Sequence, residues 1–218
     1  MTPAGRPLNL VGIMLALVGP GVVALLSSRF ADPSAPLPVQ AMFLGLFVAL
    51  VAAVATIAFR AERLSWSQTG FSQITWATPL RAAALVLFFV IVFGPLASLT
   101  LAKLGLQSFD MGRSKLTGLR AWYLVPAIAT VAAGEEWLYR GYAIERLQTV
   151  VGNRWTAGGI SLLFFTIAHL PLWGLGVALT TLASGAILTV LYILYRDVLF
   201  LIIAHVLTDL CGLVIARP

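Results

Sequence analysis

The amino-acid sequence predicts an all-α fold, a polytopic bundle of transmembrane helices. Of its residues, 60% are hydrophobic and 10% are charged, whereas about a quarter of the residues in a soluble domain carry a charge. The apolar residues form stretches close to the roughly 20 residues that a helix needs to cross a bilayer. We therefore expect a single membrane domain over residues 1–218, with seven spans, and eight as the alternative count.

The first three predicted spans carry almost no charge. They cover residues 8–27, 39–59 and 80–101. Between the second and the third, Trp66, Phe71 and Trp76 are mixed with serine, glutamine and threonine. Because aromatic rings among small polar side chains favour the membrane–water boundary, residues 61–78 are predicted to lie at the interface.

The last four predicted spans follow one another closely. They cover residues 121–147, 156–170, 175–195 and 198–215. Pro171 is expected to end the second of these four. The short connections between the last three predict antiparallel neighbours. Residues 103–120, which precede these spans, form the most polar loop of the chain.

Basic residues outnumber acidic ones, and the formal net charge is +6. The arginines and lysines stand mostly at the ends of the apolar stretches, where such residues contact lipid headgroups. The sequence has no dense basic run, so we expect membrane lipid and no nucleic acid as a partner. The single cysteine, Cys211, excludes an intrachain disulfide and a cysteine-rich metal site.

A few ionisable residues fall inside the last four predicted spans rather than at their ends. They are Glu135, Glu136, Arg140, His169, His205 and Asp209, and they include both histidines of the chain. A charged side chain at the bilayer centre costs about 2.5–3.5 kcal/mol. These residues are therefore expected to face the interior of the bundle and to satisfy one another.

The spacing of these residues divides them into pairs. Glu136 and Arg140 lie four residues apart on one helical face, which favours an ion pair. Glu135 lies about 100° around the helix from Glu136, so it is expected to point into a cavity and to act separately. His205 and Asp209 are again four residues apart, a spacing at which a carboxylate orients an imidazole ring or shares a ligand with it.

Each of these residues also has a purely structural interpretation. A buried ion pair accounts for Glu136 and Arg140, and an interhelical hydrogen bond accounts for His169 alone. His205 and Asp209 also fit the solvated end of a helix near the membrane boundary. The structural interpretations weaken when the residues are considered together, because all the charge within spans falls in the last four of them.

Three short motifs stand in order on separate predicted helices: "EEWLYR" at 135–140, "FTIAH" at 165–169 and "HVLTD" at 205–209. They resemble the EExxxR, FxxxH and HxxxN or HxxxD motifs of the CPBP family, which comprises type II CAAX prenyl proteases and bacterial Abi proteins. The resemblance covers about residues 120–212, which we expect to form the catalytic core.

The resemblance implies intramembrane proteolysis. The catalytic residues that it implies are Glu135, His169, His205 and Asp209. The residues expected to support them are Glu136, Tyr139, Arg140 and Phe165, although core packing explains Tyr139 as well. Glu135 and His169 would hold and activate the water, and His205 and Asp209 would stabilise the oxyanion or bind a metal. Asp209 stands where the prenyl-protease branch has asparagine, and an ionised carboxylate there would repel a developing anion.

Two courses for the hydrolysis are open from the sequence. In one, the same four residues, Glu135, His169, His205 and Asp209, bind a Zn²⁺ ion, which lowers the pKa of bound water to about 7. In the other, a glutamate activates the water without a metal. The sequence lacks HExxH, the usual signature of a zinc protease.

The resemblance leaves the substrate open between a prenylated CAAX tail and a bacteriocin-like peptide, either of them associated with the membrane. The small size and short loops resemble the bacterial branch of the family, so we expect a bacterial cytoplasmic membrane protein. Two other functions stand as alternatives. One is a non-catalytic scaffold or immunity protein of the same fold. The other is a proton- or ion-coupled transporter, because intramembrane Glu, His and Asp also mark ion pathways.

Overall fold

The computed structural model describes residues 5–30, 35–106 and 119–212. Its helices are α1 Gly5–Phe30, α2 Leu37–Ala61, α3 Ala77–Lys103, α4 (residues 121–151), α5 Arg154–Tyr195 and α6 Val198–Leu210. No strand occurs in the described ranges, so the predicted all-α fold is confirmed. Most of the predicted polar loop at 103–120 and the predicted end of the last span lie outside the described residues.

Four of the described helices are long and apolar enough to cross a membrane, judged by length and composition. They are Asn9–Phe30, Leu37–Ala61, Ala77–Lys103 and Arg154–Tyr195. The α4 helix carries the charged "EEWLYR" motif, and α6 is a shorter apolar helix. Each of the seven predicted spans therefore has a helical counterpart, although only these four meet the requirements of a span.

The predicted fifth and sixth spans belong to one helical stretch, α5, which is broken at Gly174. There φ is 78° and ψ is −179°, a conformation that glycine adopts without the steric cost that a side chain adds. The prediction that Pro171 ends the helix is wrong, because the helix continues past it to the glycine. A proline inside a helix removes one backbone hydrogen bond and crowds the carbonyl one turn before it, and the break at Gly174 lies within one turn of Pro171.

Within the described ranges, α2, α3 and α4 contain π-helical stretches that the sequence did not predict. They are Ile57–Ala61 in α2, Phe88–Phe93 in α3 and Trp137–Ile144 in α4. A π-turn adds a residue to the turn and so rotates the side chains that follow it, and such turns are frequent at functional sites. The stretch in α4 includes the last four residues of the "EEWLYR" motif.

The core of the bundle lies around α4, which packs against α1, α2, α5 and α6. From Trp137 to Leu147 every residue of α4 is buried, and Leu138, Tyr139 and Tyr142 have no exposed surface. The helix is therefore central rather than lipid-facing, which is the position that its charged residues require.

The predicted interfacial segment at 61–78 contains a short 3₁₀ turn, Trp66–Thr69. The side chains of Trp66 and Trp76 are exposed, whereas Thr69 and Gly70 enter the bundle and touch α4. A Cβ atom on Gly141 would lie 2.6 Å from the Thr69 carbonyl oxygen, and the Gly70 carbonyl accepts a hydrogen bond from the Val198 amide at 2.8 Å. The segment therefore joins α4 to the start of α6.

Candidate active site

A cavity of about 500 Å³ opens between α3, α4, α5 and α6. All four predicted catalytic residues line it: Glu135, His169, His205 and Asp209. A second cavity of about 280 Å³, on the side of α1 and α2, shares three of them, Glu135, His169 and Asp209. The structure thus brings together four polar side chains from three helices at the place where two largely apolar cavities meet.

Glu136 and Arg140 form an ion pair inside the bundle. Arg140 Nη1 donates to Glu136 Oε1 at 3.0 Å, and the two side chains are 1% and 0% exposed. Arg140 Nη2 also donates to the Gly185 carbonyl at 3.4 Å, and its guanidinium lies 4.0 Å from the centre of the Phe165 ring. Neither residue is among those that line the two cavities. Their contacts are with the protein itself, as expected of a structural pair.

Glu136 has a third contact that the sequence did not predict. His205 Nδ1 lies 2.9 Å from the same Oε1 atom that accepts from Arg140. The other ring nitrogen, Nε2, lies 3.6 Å from Asp209 Oδ2. The ring of His205 is thus held between two carboxylates, one from α4 and one from its own helix.

The ring of His169 is fixed by its own helix. Its Nδ1 lies 2.8 Å from the Phe165 carbonyl oxygen, and a carbonyl can only accept, so Nδ1 carries a proton. In the neutral ring, Nε2 then presents a lone pair. The Phe165 ring meets the imidazole edge-to-face, with 4.7 Å between the ring centres. His169 is therefore oriented to accept a hydrogen bond through Nε2.

Phe165 lines the larger cavity, and Tyr139 packs against it. The Phe165 ring touches Arg140 as well as His169, and the Tyr139 ring packs against it edge-to-face at 5.1 Å. The Tyr139 hydroxyl donates to the Leu17 carbonyl at 3.3 Å, and Tyr139 lines neither cavity. Of its two interpretations, core packing therefore describes Tyr139 better than a hydrogen bond to the site.

Glu135 differs from its neighbour in its contacts. It is partly exposed to the two cavities, and its carboxylate forms no hydrogen bond or short ion pair with any described residue. The adjacent glutamates thus stand in the arrangement that their spacing predicted, with Glu136 paired inside the bundle and Glu135 at the cavity surface.

Glu135, His169, His205 and Asp209 are also the residues that the sequence offers as Zn²⁺ ligands. Within residues 5–30, 35–106 and 119–212, no three His, Cys, Asp or Glu side chains are placed so that they could hold a metal ion. The contacts of His205 give the reason in part, because a ligand nitrogen must offer a lone pair to the metal and both nitrogens of this ring face carboxylates. We derive no catalytic step through a metal.

The sequence did not indicate several other residues of the larger cavity. Phe89 and Phe93 come from the π-helical stretch of α3, and Thr181, Ser184 and Thr208 from α5 and α6. Aromatic and hydroxyl side chains are common in apolar helices. The residue types and spacing of these five residues therefore do not separate them from other core or lipid-facing residues.

Residues 117–211 match the family described as Rce1-like, type II CAAX prenyl endopeptidase Rce1-like. This region is similar to the type II CAAX prenyl endopeptidases. The match includes Glu135, His169, His205 and Asp209, so the resemblance drawn from the three motifs is confirmed at the level of the family. No curated protein and no solved structure matches the chain.

The similarity to an endopeptidase family supports protease activity in general. Together with the apolar helices, it supports an integral membrane protein. The larger cavity described above is where four ionisable side chains of this region meet.

Proposed function

We propose that this protein is an intramembrane endopeptidase in which Glu135 activates water for direct attack on a peptide bond. The observation that carries this proposal is the difference between the two adjacent glutamates. Glu136 is buried and bonded to Arg140 and His205, whereas Glu135 lies at the cavity surface beside His169 and Asp209. A base must be free to reach the proton that it removes.

In the proposed reaction, Glu135 accepts a proton from a water molecule that also hydrogen-bonds to His169 Nε2. The water oxygen forms a bond to the carbonyl carbon of the substrate, and the carbonyl oxygen becomes an anion. Glu135 then gives the proton to the leaving nitrogen as the C–N bond breaks. One water is consumed, and the products are a carboxylic acid and an amine.

We assign His205 to the stabilisation of the anion. Glu136 fixes the ring through Nδ1. The 3.6 Å between Nε2 and Asp209 Oδ2 exceeds a hydrogen-bond distance, so in the imidazolium form the Nε2–H group is free to donate to a substrate oxygen. Asp209 then acts on the orientation of the ring rather than on the anion, which its own charge would repel.

For the substrate we propose a peptide bond next to a prenylated cysteine, because the matching family is described as CAAX prenyl endopeptidases. The two cavities beside Glu135 support this assignment. Their walls are mostly apolar and can accommodate a lipid chain and apolar side chains. The bacterial cytoplasmic membrane stays our prediction for the location.

The test is a cleavage assay in proteoliposomes with a farnesylated fluorogenic peptide that ends in a CAAX tail. We expect the wild-type protein to cleave it, to cleave the unprenylated peptide less well, and to retain its activity in the presence of a chelator. Glu135→Ala should abolish cleavage. Activity that survives Glu135→Ala would contradict the proposed role of this residue. Ion-dependent uptake without any cleavage would instead support a transporter.

A further inference from the structure

The larger cavity has hydroxyl groups on the second half of α5. Thr180, Thr181 and Ser184 lie within about one turn of the helix, and all three line the cavity. They sit on the same side of the helix as Val177 and Leu188, which also line it. This part of α5 therefore presents a polar strip in a cavity whose α3 wall is aromatic.

These three hydroxyls differ in their hydrogen bonds. Thr180 Oγ1 donates to the Gly176 carbonyl at 3.1 Å, and Ser184 Oγ reaches the Thr181 carbonyl at the long distance of 3.4 Å. The hydroxyl of Thr181 has no partner among the described residues, although Thr181 is only 6% exposed. Thr181 is one of the residues that line the cavity.

Other threonines in these helices show what is unusual about Thr181. A threonine hydroxyl in a helix ordinarily bonds to the carbonyl one turn before it. Thr56, Thr100 and Thr166 do so, at 2.8–2.9 Å. A buried polar group without a partner destabilises the fold. A second hydroxyl oxygen at the same cavity, that of Thr208, is also buried and unpaired within the described part of the chain.

We propose that Thr181, with Ser184 beside it, binds the main-chain amides of the substrate next to the cleaved bond. This inference rests on the proposed function. A hydroxyl both donates and accepts, so it pairs equally with a peptide N–H or C=O. Thr208 Oγ1 has almost no accessible surface, and we therefore assign the contact to α5.

A main-chain contact has a consequence for specificity. The hydroxyl strip would hold an extended, neutral peptide segment whatever its side chains are. The side chains and any lipid would then be selected by apolar walls such as Phe89 and Phe93. The protein would tolerate changes of side chain near the cleaved bond but not changes of the backbone.

Thr181→Val tests this inference, and Thr189→Val is its matched control. Thr189 lies on the same helix, is buried, and also has a hydroxyl without a partner among described residues, but it does not line the cavity. Valine keeps the shape and removes only the hydroxyl. With the farnesylated CAAX peptide we expect Thr181→Val to raise KM about three- to tenfold with kcat little changed. Thr189→Val should leave both constants unchanged.

A second measurement separates a direct contact from a structural effect. A series of farnesylated peptides is prepared in which an ester replaces one amide at a time, the cleaved amide always being kept. One of these esters should weaken cleavage by the wild-type protein. The Thr181→Val variant should cleave that ester peptide no more slowly than it cleaves the all-amide peptide. Both valine variants should be at least as resistant to unfolding as the wild type, because neither loses a hydrogen bond within the protein and each loses a hydroxyl that has no partner there.

Wild-type kinetics in Thr181→Val, or ester effects that simply add to those of the variant, would overturn the inference and leave the proposed function intact. A wild-type protein that cleaves none of the prenylated peptides would overturn the proposed function and, with it, this inference.

Discussion

Replacing Glu136 by leucine should destabilise the bundle far more than the same change at Glu135. Leucine is apolar and only about one methylene larger than glutamate, so the main change is the loss of the carboxylate. Arg140 is 1% exposed and would keep its charge without a carboxylate to balance it. Its remaining contacts would be the long hydrogen bond to Gly185 and the ring of Phe165.

The size of the effect follows from these contacts. Removing one partner of a buried ion pair destabilises a protein by about 3–5 kcal/mol, because the other charge is left uncompensated. The Phe165 ring offsets only about 0.5–2 kcal/mol of a cation's desolvation, and it does so in the wild type as well. Glu135 has no such partner among the described residues, so Glu135→Leu should change the free energy of unfolding by less than about 1 kcal/mol.

The assay is unfolding in mixed micelles by increasing SDS, followed by far-ultraviolet circular dichroism. The double variant Glu136→Leu/Arg140→Met removes both charges and keeps the volume. It should recover most of the lost stability, to within about 1–2 kcal/mol of the wild type. It should stay inactive, because His205 would lose the carboxylate that holds Nδ1.

Two results would refute this reasoning. One is a Glu136→Leu variant as stable as the wild type, since the pair would then contribute nothing to the fold. The other is a double variant no more stable than the single one, since the loss would then not come from the unpaired charge of Arg140.

Two further predictions concern the contacts that join α4 and α6 to the preceding loops. Gly141→Ala should lower stability by about 1–3 kcal/mol, because the new Cβ would lie 2.6 Å from the Thr69 carbonyl oxygen. The control is Gly159→Ala, where nothing lies within 4 Å of the new Cβ. This change should be neutral or stabilise the protein by up to about 1 kcal/mol. Equal effects of the two changes in the SDS titration would contradict the close contact at Gly141. Asp197→Ala should lose about 1–3 kcal/mol, because Asp197 accepts from the Leu199 amide at 3.1 Å and from the Thr78 hydroxyl at 3.0 Å. An unchanged midpoint for Asp197→Ala would show that this cap does not stabilise α6.

The helices could be predicted because the membrane sets their length and hydropathy. The polar site could be predicted for the same reason, since ionisable residues are so costly in a bilayer that few occur there by accident. The pairing of Glu136 with Arg140 followed from helical geometry alone.

The parts that could not be predicted depend on contacts between distant segments. Glu136 and His205 are 69 residues apart in sequence, and no local pattern shows that they meet. The π-helical stretches have no distinctive amino-acid composition, so the sequence does not show where they occur. Pro171 is a stronger stop signal in the sequence than Gly174, although the helix breaks at Gly174. The entry of Thr69 and Gly70 into the bundle required the absence of a side chain on Gly141, which is visible only once the two segments are placed together.

The most direct comparison is between Glu135→Gln and Glu136→Gln, with cleavage of the farnesylated CAAX peptide and SDS unfolding measured on the same preparations. Glutamine keeps the shape of glutamate but cannot act as a base. We expect Glu135→Gln to abolish cleavage while its unfolding midpoint stays at the wild-type value, and Glu136→Gln to lower the midpoint. A Glu135→Gln protein that is folded and cleaves at the wild-type rate would contradict the assignment of Glu135 as the base.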